Sequence, residues 1–143
     1  MKKNQLIRFA DRFHLKGVLL AALLFISGMQ YSEAQTPANI SMPAGSFIVN
    51  MGVVPQTVAN GLKPYGMVYE LLQNKCLVHW VISQTKVKDG ADFTYNNIEY
   101  KGGPFVIPAE YRTTAINAII DKWQALGVQG ITTTSPVTVP VYL

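Results

Sequence analysis

The stretch SFIVNMG, residues 46–52, decides the fold class, because three consecutive apolar residues stand between a serine and a polar, glycine-ended segment. A strand that alternates apolar and polar residues has one solvent-exposed face, whereas a continuous apolar strand is typical of a sheet that is covered on both faces. VHWVIS at residues 78–83 and FVIP at residues 105–108 have the same character. The sequence therefore predicts three buried central strands.

Two amphipathic helices are predicted between and after these strands. Residues 57–74 carry apolar side chains at intervals of four, three, four and three, which line one side of an α-helix. These are Val58, Leu62, Tyr65, Tyr69 and Leu72. Residues 112–126 carry a second stripe, with Thr113 or Thr114 as the N-cap and Gly127 as the C-terminal stop. Its members are Ile116, Ile119, Ile120, Trp123 and Leu126.

The remaining segments complete an α/β pattern. Asn96 and Asn97 can adopt the left-handed backbone of a tight turn, which predicts a small exposed hairpin around them. Residues 131–143 contain Pro136 and Pro140 and suit an edge or bulged strand. The order strand–helix–strand–hairpin–strand–helix–strand predicts a three-layer α/β fold with a mostly parallel sheet, two main helices and a small β-hairpin.

The first 34 residues have the pattern of a secretory signal peptide: a basic stretch, an apolar core at residues 18–26 and a small-residue cleavage pattern ending at Ala34. A membrane anchor is the alternative, but the apolar run is about half of the roughly 20 residues that a span needs. We therefore expect no membrane span after cleavage. Residues 35–45 are predicted to be a linker and residues 46–143 the α/β domain. Its apolar end, VYL, indicates either a last strand tied into the sheet or an incomplete domain, the front part of a longer chain, and we expect the second.

Charge and cysteine content exclude several classes of protein. Five of the twelve Lys and Arg and two of the eight Asp and Glu lie in the first 34 residues, which leaves seven and six, a net of +1. No basic face for nucleic acid is therefore expected. Cys76 is the only cysteine, so no internal disulfide can form. His79 has no partner at metal-ligand spacing, and we predict no metal and no cofactor.

A ligand cleft is predicted where parallel strands would end together, at their carboxyl edge. Its candidate side chains are Asn50, Gln84, Glu110, Tyr111 and Arg112. Glu110 has an ordinary alternative role, since a carboxylate before a helix complements the helix dipole. Arg112 also has an ordinary alternative role, that of a solvated side chain.

No catalytic residue is assigned. Cys76 and His79 invite a nucleophile–base proposal. However, Cys76 lies where a helix meets a buried strand, a place where free cysteine is commonly a small apolar filler.

Four segments together resemble the N-terminal region of long exported surface proteins of gliding-type bacteria. They are MGVVPQTVANGLKPYGMVYELL, VHWVI, KDGADFTYNNIEYKGGPFVIPAEY and TTTSPVTVPVYL. The resemblance covers residues 46–143 and implies an exported, adhesin-like, multidomain parent, without a catalytic motif. A looser likeness is to the class I glutamine amidotransferase-like fold, in which a strand such as FVIP ends in a Pro-Gly-Gly turn. Here Pro108 is followed by Ala109 and Glu110, and the chain has no G-x-C-x-G elbow.

Three functional hypotheses follow. The first is a non-catalytic folding or binding module of an exported protein that is secreted, periplasmic or on the cell surface. Its partners would be downstream domains of a longer chain or a surface ligand. The second is the N-terminal half of an amidotransferase-like hydrolase whose nucleophile lies beyond residue 143. The third is a carbohydrate- or peptide-binding protein that uses Tyr95, Tyr100 and Tyr111 as aromatic contacts.

Overall fold

A computed structural model describes residues 37–53, 58 and 61–142. The predicted signal peptide lies outside the described residues. The strands are β1 (Pro37–Met42), β2 (Phe47–Val49), β3 (His79–Trp80), β4 (Phe93–Tyr95), β5 (Ile98–Tyr100), β6 (Phe105–Ile107), β7 (Gly130–Thr132) and β8 (Val137–Tyr142). The helices are α1 (Lys63–Gln73) and α2 (Thr114–Ala125), and a 3-10 turn covers Ala109–Tyr111. The α/β class and the two main helices are confirmed.

The central sheet has the order β3-β6-β2-β7, and each neighbouring pair is antiparallel. β1–β8 and β4–β5 form two separate antiparallel ribbons. The prediction of a mostly parallel sheet is therefore not confirmed, since the described residues contain no parallel strand pair. The physical reason is that a continuous apolar strand indicates only that both faces of the sheet are covered. Parallel and antiparallel strands can both be covered in this way.

Two of the three predicted central strands, β2 and β6, are covered on both faces. The prediction for residues 78–83 is wrong, because β3 is a two-residue edge strand and its Trp80 is exposed. Phe47 and Val49 of β2 point to one side, in a cluster with residues of both helices, and Ile48 points to the other side. Phe105 and Ile107 of β6 join the helix-side cluster. The opposite cluster is supplied largely by the two ribbons: Met42, Phe93, Tyr95, Tyr100, Val137, Val139 and Val141. The three-residue apolar runs thus fill two cores, one above and one below the sheet.

β1 corrects the predicted linker at residues 35–45. Pro37–Met42 pairs with β8 over six residues, and Ile40 lies opposite Val139. Met42 and Val139 are buried. β8 lies in a two-stranded ribbon, where both strands are edges, so its Pro140 needs no second neighbour.

Helix α2 begins as predicted, because the Thr113 side chain accepts a hydrogen bond from the Ile116 N–H at 3.3 Å. Gly127 follows the helix with φ +103°, in the conformation that favours glycine. The hairpin turn is also confirmed, with φ of 48° at Asn96 and 61° at Asn97. The hairpin is not an exposed one, however, since Tyr100 at its end is almost fully buried.

Helix α1 has the predicted period but presents the other face to the core. Its buried residues are Pro64, Met67 and Leu71, whereas the predicted stripe is exposed. The rotation of α1 is fixed by α2, because the Trp123 ring lies against Gly66 and leaves no room for a Cβ. One turn further along α1, Glu70 accepts hydrogen bonds from Trp123 Nε1 at 2.7 Å and from Lys122 Nζ. These bonds lower the pKa of Glu70.

Candidate functional site

The predicted cleft residues do not lie at one edge of the sheet. Since β2 and β3 both run opposite to β6, Asn50 and Gln84 follow strands that end beside the start of β6. Glu110, Tyr111 and Arg112 follow its far end. Antiparallel pairing therefore separates the three loops that a parallel sheet would have brought together.

Arg112 joins three segments of the fold. Its Nη1 donates to the Gly45 carbonyl at 2.7 Å and to Thr132 Oγ1 at 2.9 Å, and its Nε donates to Asn117 Oδ1 at 2.9 Å. The guanidinium lies 5.6 Å from the centre of the Phe47 ring. Partial burial lowers the pKa of Arg112, which Asp121 opposes. Nε and Nη1 thus bind the protein, which indicates a structural role rather than the solvated side chain of the ordinary alternative.

The other predicted residues are dispersed. Glu110 and Tyr111 are exposed on the 3-10 turn. Asn50 Oδ1 accepts a hydrogen bond from the Gly52 N–H at 3.1 Å, and the Asn50 N–H donates to the Gln129 carbonyl. Gln84 lines a cavity among the described residues.

That cavity, which we call the ribbon cleft, lies between the β1–β8 ribbon and the segment that connects β3 to β4. It has a volume of about 390 Å³. Its lining residues are Ala38, Asn39, Ser83, Gln84, Thr85, Asp92, Phe93, Thr138 and Pro140. Five of these carry a neutral amide or hydroxyl group, and Phe93 provides an apolar wall. The cleft thus offers several uncharged hydrogen-bonding groups on both sides.

Asp92 is the charged residue of the ribbon cleft, and the protein satisfies its carboxylate. The side chain is fully buried and its Oδ1 lies 2.6 Å from Lys86 Nζ. Oδ1 also accepts from the Ser83 N–H at 2.9 Å, and Oδ2 accepts from the Gly103 N–H at 3.0 Å. The carboxylate therefore fixes the Ser83 and Lys86 segment against the entry to β6. Asp92 is not among the predicted site residues, since no local pattern distinguishes it from the nearby Asp89.

Tyr95 holds the loop between β7 and β8. Its phenolic oxygen accepts the backbone N–H of Thr134 at 2.7 Å and of Ser135 at 3.1 Å, with both hydroxyl oxygens within 3.4 Å. Hydrogen bonds from Ser135 and Thr134 lower the pKa of Tyr95 to about 7. Tyr100 stacks on Phe93, with ring centres 4.9 Å apart. Tyr95 and Tyr100 are buried, so they are core residues rather than the aromatic contacts of the third hypothesis.

The residues considered for nucleophilic chemistry are not arranged for it. Cys76 is 3% exposed, and burial raises the pKa of its thiol, which disfavours the reactive thiolate. Burial lowers the pKa of His79, and Glu110 opposes that shift. Cys76 fills space in the helix-side core, as the apolar interpretation predicts.

Within residues 37–53, 58 and 61–142, no three His, Cys, Asp or Glu side chains are grouped so that they could hold a metal ion. In the same part of the chain, no helix has the length and apolar character needed to cross a membrane.

Comparison with known proteins gives this chain no relative from which a role could be transferred. No family model matches it, nor does any curated protein or solved structure.

Proposed function

We propose that this chain is a non-catalytic binding module of an exported protein, and that the ribbon cleft is its ligand site. The observation that carries the proposal is the lining of the cleft: neutral amides and hydroxyls surround a carboxylate whose oxygens already accept hydrogen bonds from the protein. A volume of about 390 Å³ suits a small ligand, since such sites range from about 300 to 1,000 Å³.

The chemistry of the lining favours a neutral ligand with several hydroxyl or amide groups. Asp92 and Lys86 compensate each other, so neither offers an unpaired charge to an anion or a cation. Asn39, Gln84 and Thr138 carry donors and acceptors that match hydroxyl groups. A neutral saccharide fits these features better than a phosphate or a carboxylate does.

Export belongs to the same proposal, and the signal-peptide pattern of residues 1–34 supports it. The location would be the cell surface, the medium or the periplasm. The partners would be a surface ligand or further domains of a longer chain. We do not adopt the amidotransferase-like alternative, because antiparallel pairing removes the support that its cleft took from a parallel sheet.

The test is ligand-observed NMR with the full chain and a panel of neutral mono- and disaccharides. Gln84→Ala and Thr138→Val each remove hydrogen-bonding capacity from the cleft, and Thr94→Val on the exposed face of β4 is the matched control. A hydrogen bond of about 1 kcal/mol corresponds to roughly fivefold weaker binding for each cleft variant. The proposal fails if no sugar binds, or if the control weakens binding as much as the cleft variants do.

A further inference from the structure

Helix α1 carries an apolar stripe that no described part of the chain covers. We call it the LYYL stripe, after its four residues: Leu62, Tyr65, Tyr69 and Leu72. Their side chains are 81%, 48%, 64% and 54% exposed. Isolated apolar residues are normal on protein surfaces, but a contiguous apolar patch marks an interaction site.

The stripe continues onto the edge of the central sheet. The Tyr65 ring meets the Phe105 ring edge-on, with centroids 5.8 Å apart, and the Trp80 ring stacks on the same Phe105 ring at 6.1 Å. Trp80 lies on β3, the last strand of the sheet, and is 56% exposed. The exposed surface is thus a helix stripe and one aromatic side chain beside it, supported from below by a buried ring.

The order of residues in the stripe makes it self-complementary. The intervals of three, four and three are those of a coiled-coil seam. The stripe reads Leu-Tyr-Tyr-Leu in both directions, with Met67 at its midpoint. When two copies of α1 pair antiparallel through the stripe, with the two-fold axis at the height of residue 67 along the helix, Leu62 of each copy meets Leu72 of the other. Tyr65 likewise meets Tyr69, as an isologous interface requires.

The available area is sufficient for a weak specific dimer. At about 200 Å² for each large side chain, the exposed fractions of the stripe and Trp80 amount to about 600 Å² per copy. Complete burial of these side chains in both copies would remove about 1,200 Å², which just reaches the lower limit for a specific protein–protein interface. The four stripe side chains carry no charge, so they bring no like-charge repulsion when two copies meet.

We propose that two copies of this chain associate through the LYYL stripe, with their α1 helices antiparallel. This interface is separate from the ribbon cleft and does not depend on the proposed ligand. A dimer of this form presents two ribbon clefts in one particle.

Disulfide trapping tests the geometry directly. Two differently tagged full chains, both with Cys76→Ala so that each carries one thiol, are coexpressed and oxidised, one with Leu62→Cys and one with Leu72→Cys. The proposal predicts a disulfide between the two tags and none when either variant is expressed alone. In an antiparallel pair, equivalent positions lie about 15 Å apart along the axis, beyond the roughly 7 Å Cα limit of a disulfide. Ala118→Cys, exposed on α2, is the control. Self-linking of either single variant, or no mixed disulfide, overturns the proposal.

Solution mass provides the second test. Light scattering coupled to size exclusion should give a dimer for the full chain at about 100 µM and a monomer for Tyr69→Glu. Ala118→Glu carries the same charge on another exposed helix face and should remain dimeric. Circular dichroism verifies that each variant is folded. A monomeric wild-type chain, or equal dissociation of both variants, contradicts the proposal.

Discussion

Replacement of Asp92 by Asn should strongly destabilise the fold, because the carboxylate is fully buried and all its hydrogen-bond donors belong to the protein. The amide of Asn has one oxygen acceptor and one nitrogen donor. In the Asp92 position its nitrogen would face either the Ser83 N–H and Lys86, or the Gly103 N–H. At least one buried backbone donor would then lack an acceptor.

The size of the effect follows from these contacts. Leaving a buried donor unsatisfied costs about 1–3 kcal/mol, and a hydrogen bond to a charged group contributes about 1.5–3 kcal/mol. The Lys86 side chain is 23% exposed, so water can replace part of the interaction that its ammonium group loses when the carboxylate is removed. We therefore expect Asp92→Asn to lower the free energy of unfolding by about 3 kcal/mol. For a domain of this size, that corresponds to a fall in Tm of about 12–24 °C.

The assay is urea and thermal unfolding of the full chain followed by circular dichroism, with Asp89→Asn as the matched control. Asp89 is exposed and has φ +62°, a conformation that Asn also adopts readily. The control should change the free energy of unfolding by less than about 0.5 kcal/mol. A loss below about 1 kcal/mol for Asp92→Asn would show that water replaces the carboxylate contacts and would refute the buried-anchor argument.

Three further predictions test other contacts. Gly66→Ala should destabilise the chain by about 1–3 kcal/mol, although Ala favours helices, because the new Cβ would lie 2.6 Å from the Trp123 ring. Urea unfolding measures the effect, and a variant more stable than the wild type would contradict the packing of Trp123 on Gly66. Tyr95 should ionise near pH 7 in an ultraviolet absorbance titration, and Tyr95→Phe should remove that phase. Since its folded-state pKa is lowered, stability should rise with pH between about 7 and 10 relative to Tyr95→Phe, and a flat difference would oppose the assignment. Cys76 should react with a thiol reagent only slowly until urea unfolds the chain, and rapid reaction of the native protein would show that the thiol is accessible.

Local pattern predicts the elements of this fold better than their arrangement. The apolar runs at Phe47 and Phe105 correctly indicate strands covered on both faces, and Thr113 correctly begins α2. Strand direction depends on which distant segments pair, and the runs carry no signal for that. β1 was not predicted for the same reason, because its partner β8 begins about 95 residues further along the chain.

The ribbon cleft was missed for a related reason. Its two sides come from the β1–β8 ribbon and from the connection that follows β3, so no short motif contains them. Gln84 is predicted for a different cleft, at the carboxyl edge of a parallel sheet, so its place in the ribbon cleft does not confirm that prediction. Asp92 is distinguished from Asp89 only by the donors around it, and Gly103 contributes one of them from 11 residues away.

The orientation of α1 connects the fold to its free surface. The helix has two apolar sides, one with Met67 and Leu71 and the other with the LYYL stripe, and periodicity alone favours the longer one. Gly66 favours the other orientation. Its missing side chain lets the Trp123 ring pack against α1, and Glu70 accepts a hydrogen bond from the same indole. That contact turns the smaller apolar side towards the sheet and leaves the tyrosines outside. Trp123, the partner of Gly66 in this contact, lies on α2, more than 50 positions further along the chain. The exposure of the stripe therefore depends on tertiary packing and cannot be read from the sequence of α1 alone.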